Sequence, residues 1–133
     1  MQIGDKGKLV YQNGGVYDGF FKDGLRHGFG TFTEENGNKY EGRWENDQQQ
    51  GEGKQFLEFK KEFYEGNFII GKRDGFGKRV NHKGELYIGQ WRNGSQVESV
   101  RFHQKIPVSQ YQSLIEKFLY KKSVTEMEVK IFQ

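Results

Sequence analysis

Apolar positions in this chain are mostly aromatic, and they fall at fixed offsets among glycines and charged residues. Tyr17, Tyr40, Tyr64 and Tyr87 recur at steps of 23, 24 and 23 residues. Each is followed two residues later by a glycine (Gly19, Gly42, Gly66, Gly89) and four residues later by a second ring (Phe21, Trp44, Phe68, Trp91). Eleven residues after the first three tyrosines comes Gly-x-Gly: Gly28/Gly30, Gly51/Gly53 and Gly75/Gly77. A period of this size marks a stack of equal units, none of which can bury its own apolar face alone. In the first full unit, Phe20 and Phe21 run into Asp23-Gly24, a tight hairpin turn signal. The strand Gly28–Thr33 then returns toward a second turn at Asn36-Gly37. Each unit is thus a β-hairpin, and successive hairpins continue as an antiparallel meander. At about 4.8 Å between strands, some nine strands give a twisted ribbon roughly 40 Å long.

The pattern changes near residue 102. All 19 glycines lie at or before Gly94. Beyond Pro107, Tyr111, Leu114, Ile115, Phe118 and Leu119 form an amphipathic helical stripe. Ser109-Gln110-Tyr111-Gln112 fits a capping box, and Lys117, Lys121 and Lys122 crowd the last turns, where cations suit the helix dipole. Met127, Val129 and Ile131 then alternate with Glu126, Glu128 and Lys130, as a short strand would. The expected fold is mainly β: a single-layer twisted antiparallel hairpin ribbon over residues 1–102, with a C-terminal appendage over 103–133. Within the ribbon, 5–16 is a partial unit, 17–39, 40–63 and 64–86 are full units, and 87–102 is a degenerate capping unit. The appendage holds a helix at about 108–122 and a tail strand at about 125–132. The helix is expected either to fold over the last repeat edge and close the core, or to dock on a partner.

Three full copies of Tyr-x-Gly-x-aromatic, a turn, and Gly-x-Gly resemble the MORN repeat family over roughly residues 5–102. Gly7 and Gly14 sit in phase with Gly30 and Gly37, which makes 5–16 the back half of a unit. Three departures stand out. Asp47 replaces the turn glycine of unit two, which also carries one extra residue between Phe56 and Phe63. In unit four, Val97–Val100 stands where His-Gly-x-Gly is expected, as in a terminal cap.

Composition narrows the function. A hydrophobic content of 33% and a mean hydropathy of −0.94 would suit disorder, but aromatics at 16% argue for a fold built on ring contacts. A formal charge of +3 from interspersed residues gives no nucleic-acid footprint. There is no cysteine, so thiolate zinc sites and disulfides are excluded. No apolar run is long enough to span a bilayer, and Met1–Asp5 does not open a secretory signal, so a reducing intracellular compartment is expected. His27, His82 and His103 are scattered, with His27 at a turn position. Asp18, Glu41 and Glu65 recur at one repeat position, yet about 10 Å apart they cannot share one ion and are read as solvated or paired with bases. Gly71–Lys78 lacks the spacing and Ser/Thr of a phosphate loop. No enzyme, metal or cofactor is expected.

The row Tyr17/Phe21, Tyr40/Trp44, Tyr64/Phe68 and Tyr87/Trp91 should fall on one face. It reads as a partly exposed protein-binding groove, because a single-layer sheet cannot bury both sides. The helix stripe Tyr111, Leu114, Ile115, Phe118 and Leu119 is the candidate docking helix. The resemblance implies a scaffold that grips a helical or extended partner segment, with homodimers also allowed. It also implies an assembly in the cytoskeleton or a cilium (axoneme). The alternative is a peripheral adaptor on anionic phospholipid through Lys60-Lys61, Lys72-Arg73, Lys78-Arg79 and Lys121-Lys122. It ranks second, because those pairs alternate with acids and clusters of four to eight cations are usual.

Overall fold

The computed structural model describes residues 4–119. Nine strands follow in order: β1 (Asp5–Val10), β2 (Val16–Lys22), β3 (Leu25–Thr33), β4 (Lys39–Glu45), β5 (Gln48–Leu57), β6 (Glu62–Ile69), β7 (Lys72–Asn81), β8 (Glu85–Arg92) and β9 (Ser95–Lys105). They form one open sheet in sequence order, and neighbouring strands pair antiparallel throughout. A helix, α1 (Val108–Leu119), completes the described chain. The hairpin ribbon is therefore as the repeat implies. Residues 120–122 of the expected helix and the tail strand at 125–132 lie outside the described residues.

Each repeat hairpin closes with two residues at positive φ, the type I′ geometry that matches the twist of the strands: Asp23-Gly24, Asn46-Asp47, Ile70-Gly71 and Asn93-Gly94. Asp47 holds φ +72 without being glycine. Its carboxylate accepts from the Arg26 amide at 3.1 Å and from Arg26 Nε at 2.7 Å, and its own amide donates to the Arg26 carbonyl at 2.9 Å. The replaced turn glycine is thus tied to the preceding hairpin. Equivalent amides repeat the tie, Gly71 to the Gln49 carbonyl and Gly94 to the Arg73 carbonyl. The extra residue of unit two falls in the turn Glu58–Lys61, which leaves Phe59 98% exposed.

One boundary moves and one cap changes. Strand β9 runs to Lys105, past residue 102, because its backbone stays paired with β8 as far as Glu85. The helix starts at Val108, where it is expected, but Ser109 does not cap it. The amides of Gln110 and Tyr111 both donate to the Pro107 carbonyl, at 3.0 and 3.2 Å, so Ser109 lies inside the first turn. Pro107 sets the entry to the helix.

The helix closes the core over a face of the sheet and not over its last edge. Tyr111 and Phe118 are buried with Phe56, Phe63 and Val80, and Leu114, Ile115 and Leu119 pack around them. Tyr111 Oη donates to the Lys61 carbonyl at 2.6 Å. Buried Lys39 donates to the Phe118 carbonyl at 2.5 Å, satisfying one of the orphan acceptors at the helix C-terminus.

Ile70 is the one β-branched residue among these turns, at φ +46 and two-thirds exposed. The left-handed region costs an ordinary L residue about 1–2 kcal/mol, and Asn much less. Ile70→Asn should therefore raise unfolding free energy by about 1 kcal/mol and the melting temperature by about 3 °C. Chemical denaturation and a thermal melt check both.

Candidate functional site

Side chains alternate across a strand, so the tyrosines and the rings four residues on should share one face. They do: Tyr17, Tyr40, Trp44, Tyr64, Phe68, Tyr87 and Trp91 form a single cluster. Tyr17, Tyr40 and Tyr64 each meet their own unit's ring and the next unit's ring edge-on, and Tyr87 meets Trp91 of its own unit. Tyr17 lies 4.9 Å from Phe21 and 5.4 Å from Trp44, Tyr40 5.2 Å from Trp44 and 5.1 Å from Phe68, Tyr64 5.2 Å from both Phe68 and Trp91. This is the arrangement the ring quadrupole favours.

The glycines make that stack possible, and the two in Gly-x-Gly do different work. The first sits where pairing shifts register between the two strands of a hairpin, at φ +82 in Gly28 and likewise in Gly51 and Gly75. There the tyrosine hydroxyl reaches a carbonyl three residues on: Phe20 at 2.8 Å, Arg43 at 2.7 Å and Asn67 at 2.9 Å. The second glycine supplies room. A Cβ on Gly30, Gly53 or Gly77 would lie 2.2–2.6 Å from Tyr17, Tyr40 or Tyr64, whose rings rest on the backbone.

Exposure departs from the expected partly open row. All seven rings of the cluster are at most 5% exposed, and only Phe21 stays half-buried. Each inner ring is flanked by two tyrosines, and two arginines close the gaps. The Arg26 guanidinium lies 4.4 Å from the Trp44 ring, and that of Arg73 lies 4.6 and 5.1 Å from Tyr64 and Trp91. Arg73 is itself buried and held by Glu62 at 2.6 Å and Gln55 at 2.9 Å. Sequence reasoning missed both arginines, although the signal was there. Nine residues after each tyrosine stand Arg26, Gln49, Arg73 and Gln96. Each arginine pairs across the hairpin with Phe21 or Phe68, and each glutamine with Trp44 or Trp91.

An open concavity lies on the other face. A groove of about 870 Å³ is lined by Phe29, Glu41, Arg43, Glu52, Lys54, Glu65, Asn67, Phe76, Lys78 and Ile88 with backbone glycines between them. Its floor carries one cross-strand row of alternating sign, Glu41–Lys54–Glu65–Lys78, ending on Ile88. The repeated carboxylates thus stand opposite bases, with Glu65 and Lys78 at 3.8 Å. Helix α1 packs on the next row of the same face, over Phe56, Phe63 and Val80. Phe76 is 61% exposed. Among the described residues, no group of three His, Cys, Asp or Glu is placed to hold a metal ion, and no helix is long and apolar enough to cross a membrane.

Burial sets how this stack responds to base. It pushes the Tyr64 hydroxyl up from 10.0 to about 12, against the opposing pull of Arg73, and shifts Tyr17 and Tyr40 the same way. The unfolded chain ionises first, so the stabilisation is full below pH 10 and is lost as pH rises through about 12. Alkaline unfolding followed by circular dichroism should coincide with tyrosinate absorbance across that window. Gly53→Ala drives a methyl into the Tyr40 ring and should cost about 2 kcal/mol in urea denaturation.

Comparison with known proteins agrees with this geometry. The MORN repeat family model matches residues 17–39, 40–56, 64–85 and 87–96, which is more than half of the chain. No curated protein matched the chain. MORN repeats are non-catalytic modules that generally mediate interactions with proteins or membranes, which supports a structural adaptor role. With its hairpin period, ring-over-glycine stack and four matching segments, the chain belongs to the MORN-repeat family.

Proposed function

We propose that this protein is a non-enzymatic scaffold that holds a segment of another protein within a cytoskeletal or ciliary (axonemal) assembly. The observation that carries the reading is the groove beside α1. It has apolar side chains at one end, the exposed Phe76 and the half-buried Ile88, and a floor of paired charges. Such a mixture of apolar anchor and polar rim suits a protein contact better than a small-molecule pocket. The buried ring row contributes indirectly. Tyr17, Phe21, Tyr40, Trp44, Tyr64, Phe68, Tyr87 and Trp91 hold the strands in register, so the groove keeps its shape. The partner is an extended or helical segment laid across the strands, as α1 is laid on the adjoining row.

A second reading has its own observation. Phe59 projects almost fully into solvent beside Lys60-Lys61, an apolar tip with a basic collar that suits an anionic phospholipid surface.

Trp44→Ala would not separate these readings, since truncating a buried tryptophan costs about 3–5 kcal/mol and reports loss of fold. Phe76→Asp touches only the groove. In native cytoskeletal extract, cross-linking mass spectrometry should place Lys54 and Lys78 against a partner, and Phe76→Asp should cut those cross-links about tenfold. Phe59→Asp should leave them unchanged. Unchanged cross-links in Phe76→Asp would sink the groove assignment. Salt-sensitive sedimentation with anionic vesicles, lost in Phe59→Asp, would put the membrane reading in its place.

A further inference from the structure

The second glycine of each Gly-x-Gly has a clear reason to lack a side chain: a tyrosine ring from the preceding strand rests on it. Gly7 occupies the same row. It pairs with Gly19 as Gly30 pairs with Gly42 and Gly53 with Gly66. Yet nothing on the ring face requires it to be glycine. A Cβ on Gly7 would meet only the edge of the Phe21 ring, at 3.6 Å, an ordinary contact, and its φ is not in the left-handed region. The strand that would carry a covering tyrosine is the one on the outer side of β1, and among the described residues β1 is an edge of the sheet.

Phe21 points to the same place independently. Trp44, Phe68 and Trp91 each sit between two tyrosines, and all are buried. Among the described residues, Phe21 has a ring, Tyr17, on one flank only, and it remains half-buried. A ring resting on Gly7 would supply the other flank, as Tyr17 does for Trp44. Leu9, two residues on and 43% exposed, would lie opposite that ring, as Phe32 lies opposite Tyr17. Lys8 stands between Gly7 and Leu9 on the opposite face, in the row where Lys54 and Lys78 stand beside Glu65. The far end of the sheet is different, because Gly89 pairs with Arg101 and no glycine awaits a ring.

We propose that the free edge of β1 is a strand-acceptor site for an extended segment of another polypeptide carrying an aromatic–acid–glycine triplet. The segment pairs antiparallel to β1, with its glycine against Gly7, its acid against Lys8 and its aromatic opposite Leu9. The aromatic ring then lies on Gly7 and meets Phe21. A second copy of this chain is not the donor. Its Tyr-x-Gly strands β2, β4, β6 and β8 are each paired on both sides. The mode is strand addition, with main-chain hydrogen bonds for affinity and the ring and the acid for choice of partner. It is separate from the groove and stands or falls without it.

The probe is a soluble heptapeptide with the sequence of Lys39–Glu45, which contains Tyr40-Glu41-Gly42. Titrated into the full chain up to about 1 mM, it should shift the backbone amide signals of Lys6–Val10 saturably and slow exchange of the edge amides. Peptides with Tyr40→Ala or Glu41→Lys should bind at least about tenfold more weakly. Gly7→Val in the full chain should keep the melting temperature and lose peptide binding. Should that variant misfold, Gly7→Ala serves, since its methyl makes only ordinary contact with Phe21. No shift in β1, equal binding by the Tyr40→Ala peptide, or binding undiminished by the Gly7 variants would each overturn the assignment. So would shifts confined to β9.

Discussion

A tyrosine ring resting on a glycine of the neighbouring strand is the contact on which the rest of this structure depends. The ring can reach the backbone only because Gly30, Gly53 and Gly77 lack a Cβ, and it ends on a carbonyl that the register shift leaves out of the ladder. One side chain therefore buries apolar area, satisfies a stranded acceptor and fixes the register of two strands. Because Tyr17, Tyr40 and Tyr64 also meet the ring of the next hairpin, the same contact is both the core of one unit and its interface with the next. Stability in such an array is a chain of nearest-neighbour terms, and no long aliphatic core is needed. That is how a chain with 33% hydrophobic residues folds.

Committing the rings to the stack decides where function can sit. On the ring face the side chains are spent on one another, and Arg26 and Arg73 occupy what space is left. The size of the neighbours is matched. A phenylalanine is opposite each arginine and a tryptophan opposite each glutamine, so the bulk per hairpin stays level while its distribution alternates. The structural repeat of the ring face is thus two hairpins long. The opposite face carries no such burden. One row is covered by α1, and the next is left as a self-neutralised strip that can meet a partner without a large uncompensated charge to desolvate.

Hairpins, strand order and the shared face of the rings were legible in the sequence, because tight turns and period-two alternation are local properties. Asp47 was legible too as a turn residue, though not its tie to Arg26, which depends on how one hairpin leans on another. Ring exposure was misjudged for a physical reason. A flat single layer would leave rings half open, but a tyrosine that folds down onto glycine is covered by its neighbours on both flanks. The groove was out of reach for a related reason. Its lining residues, such as Glu52, Phe76 and Ile88, come from different strands and share no motif, and only the register brings them together. The helix stripe Tyr111, Leu114, Ile115, Phe118 and Leu119 was clear from its spacing, whereas its seat on Phe56, Phe63 and Val80 was not.

The two ends of the sheet show what a repeat must do to stop. At β9 the array ends by substitution: Arg101 faces Gly89, and the Tyr87 hydroxyl reaches the carbonyls of Gln90 and Val97, both at 3.2 Å. The repeat glycine that a further ring would need is missing from this strand, so the pattern itself ends there. At β1 the glycine is kept, and among the described residues no ring covers it, no second ring flanks Phe21, and Leu9 and Val10 stand exposed along the outer strand. Edges of this kind are normally blunted, and the charges of Lys6 and Lys8 on the other face do that only in part. A stack whose internal interface is also its end surface offers, at any unblocked end, the same contact that built it. The specificity of β1 for an incoming strand is then the specificity of the fold itself, read once more at its edge.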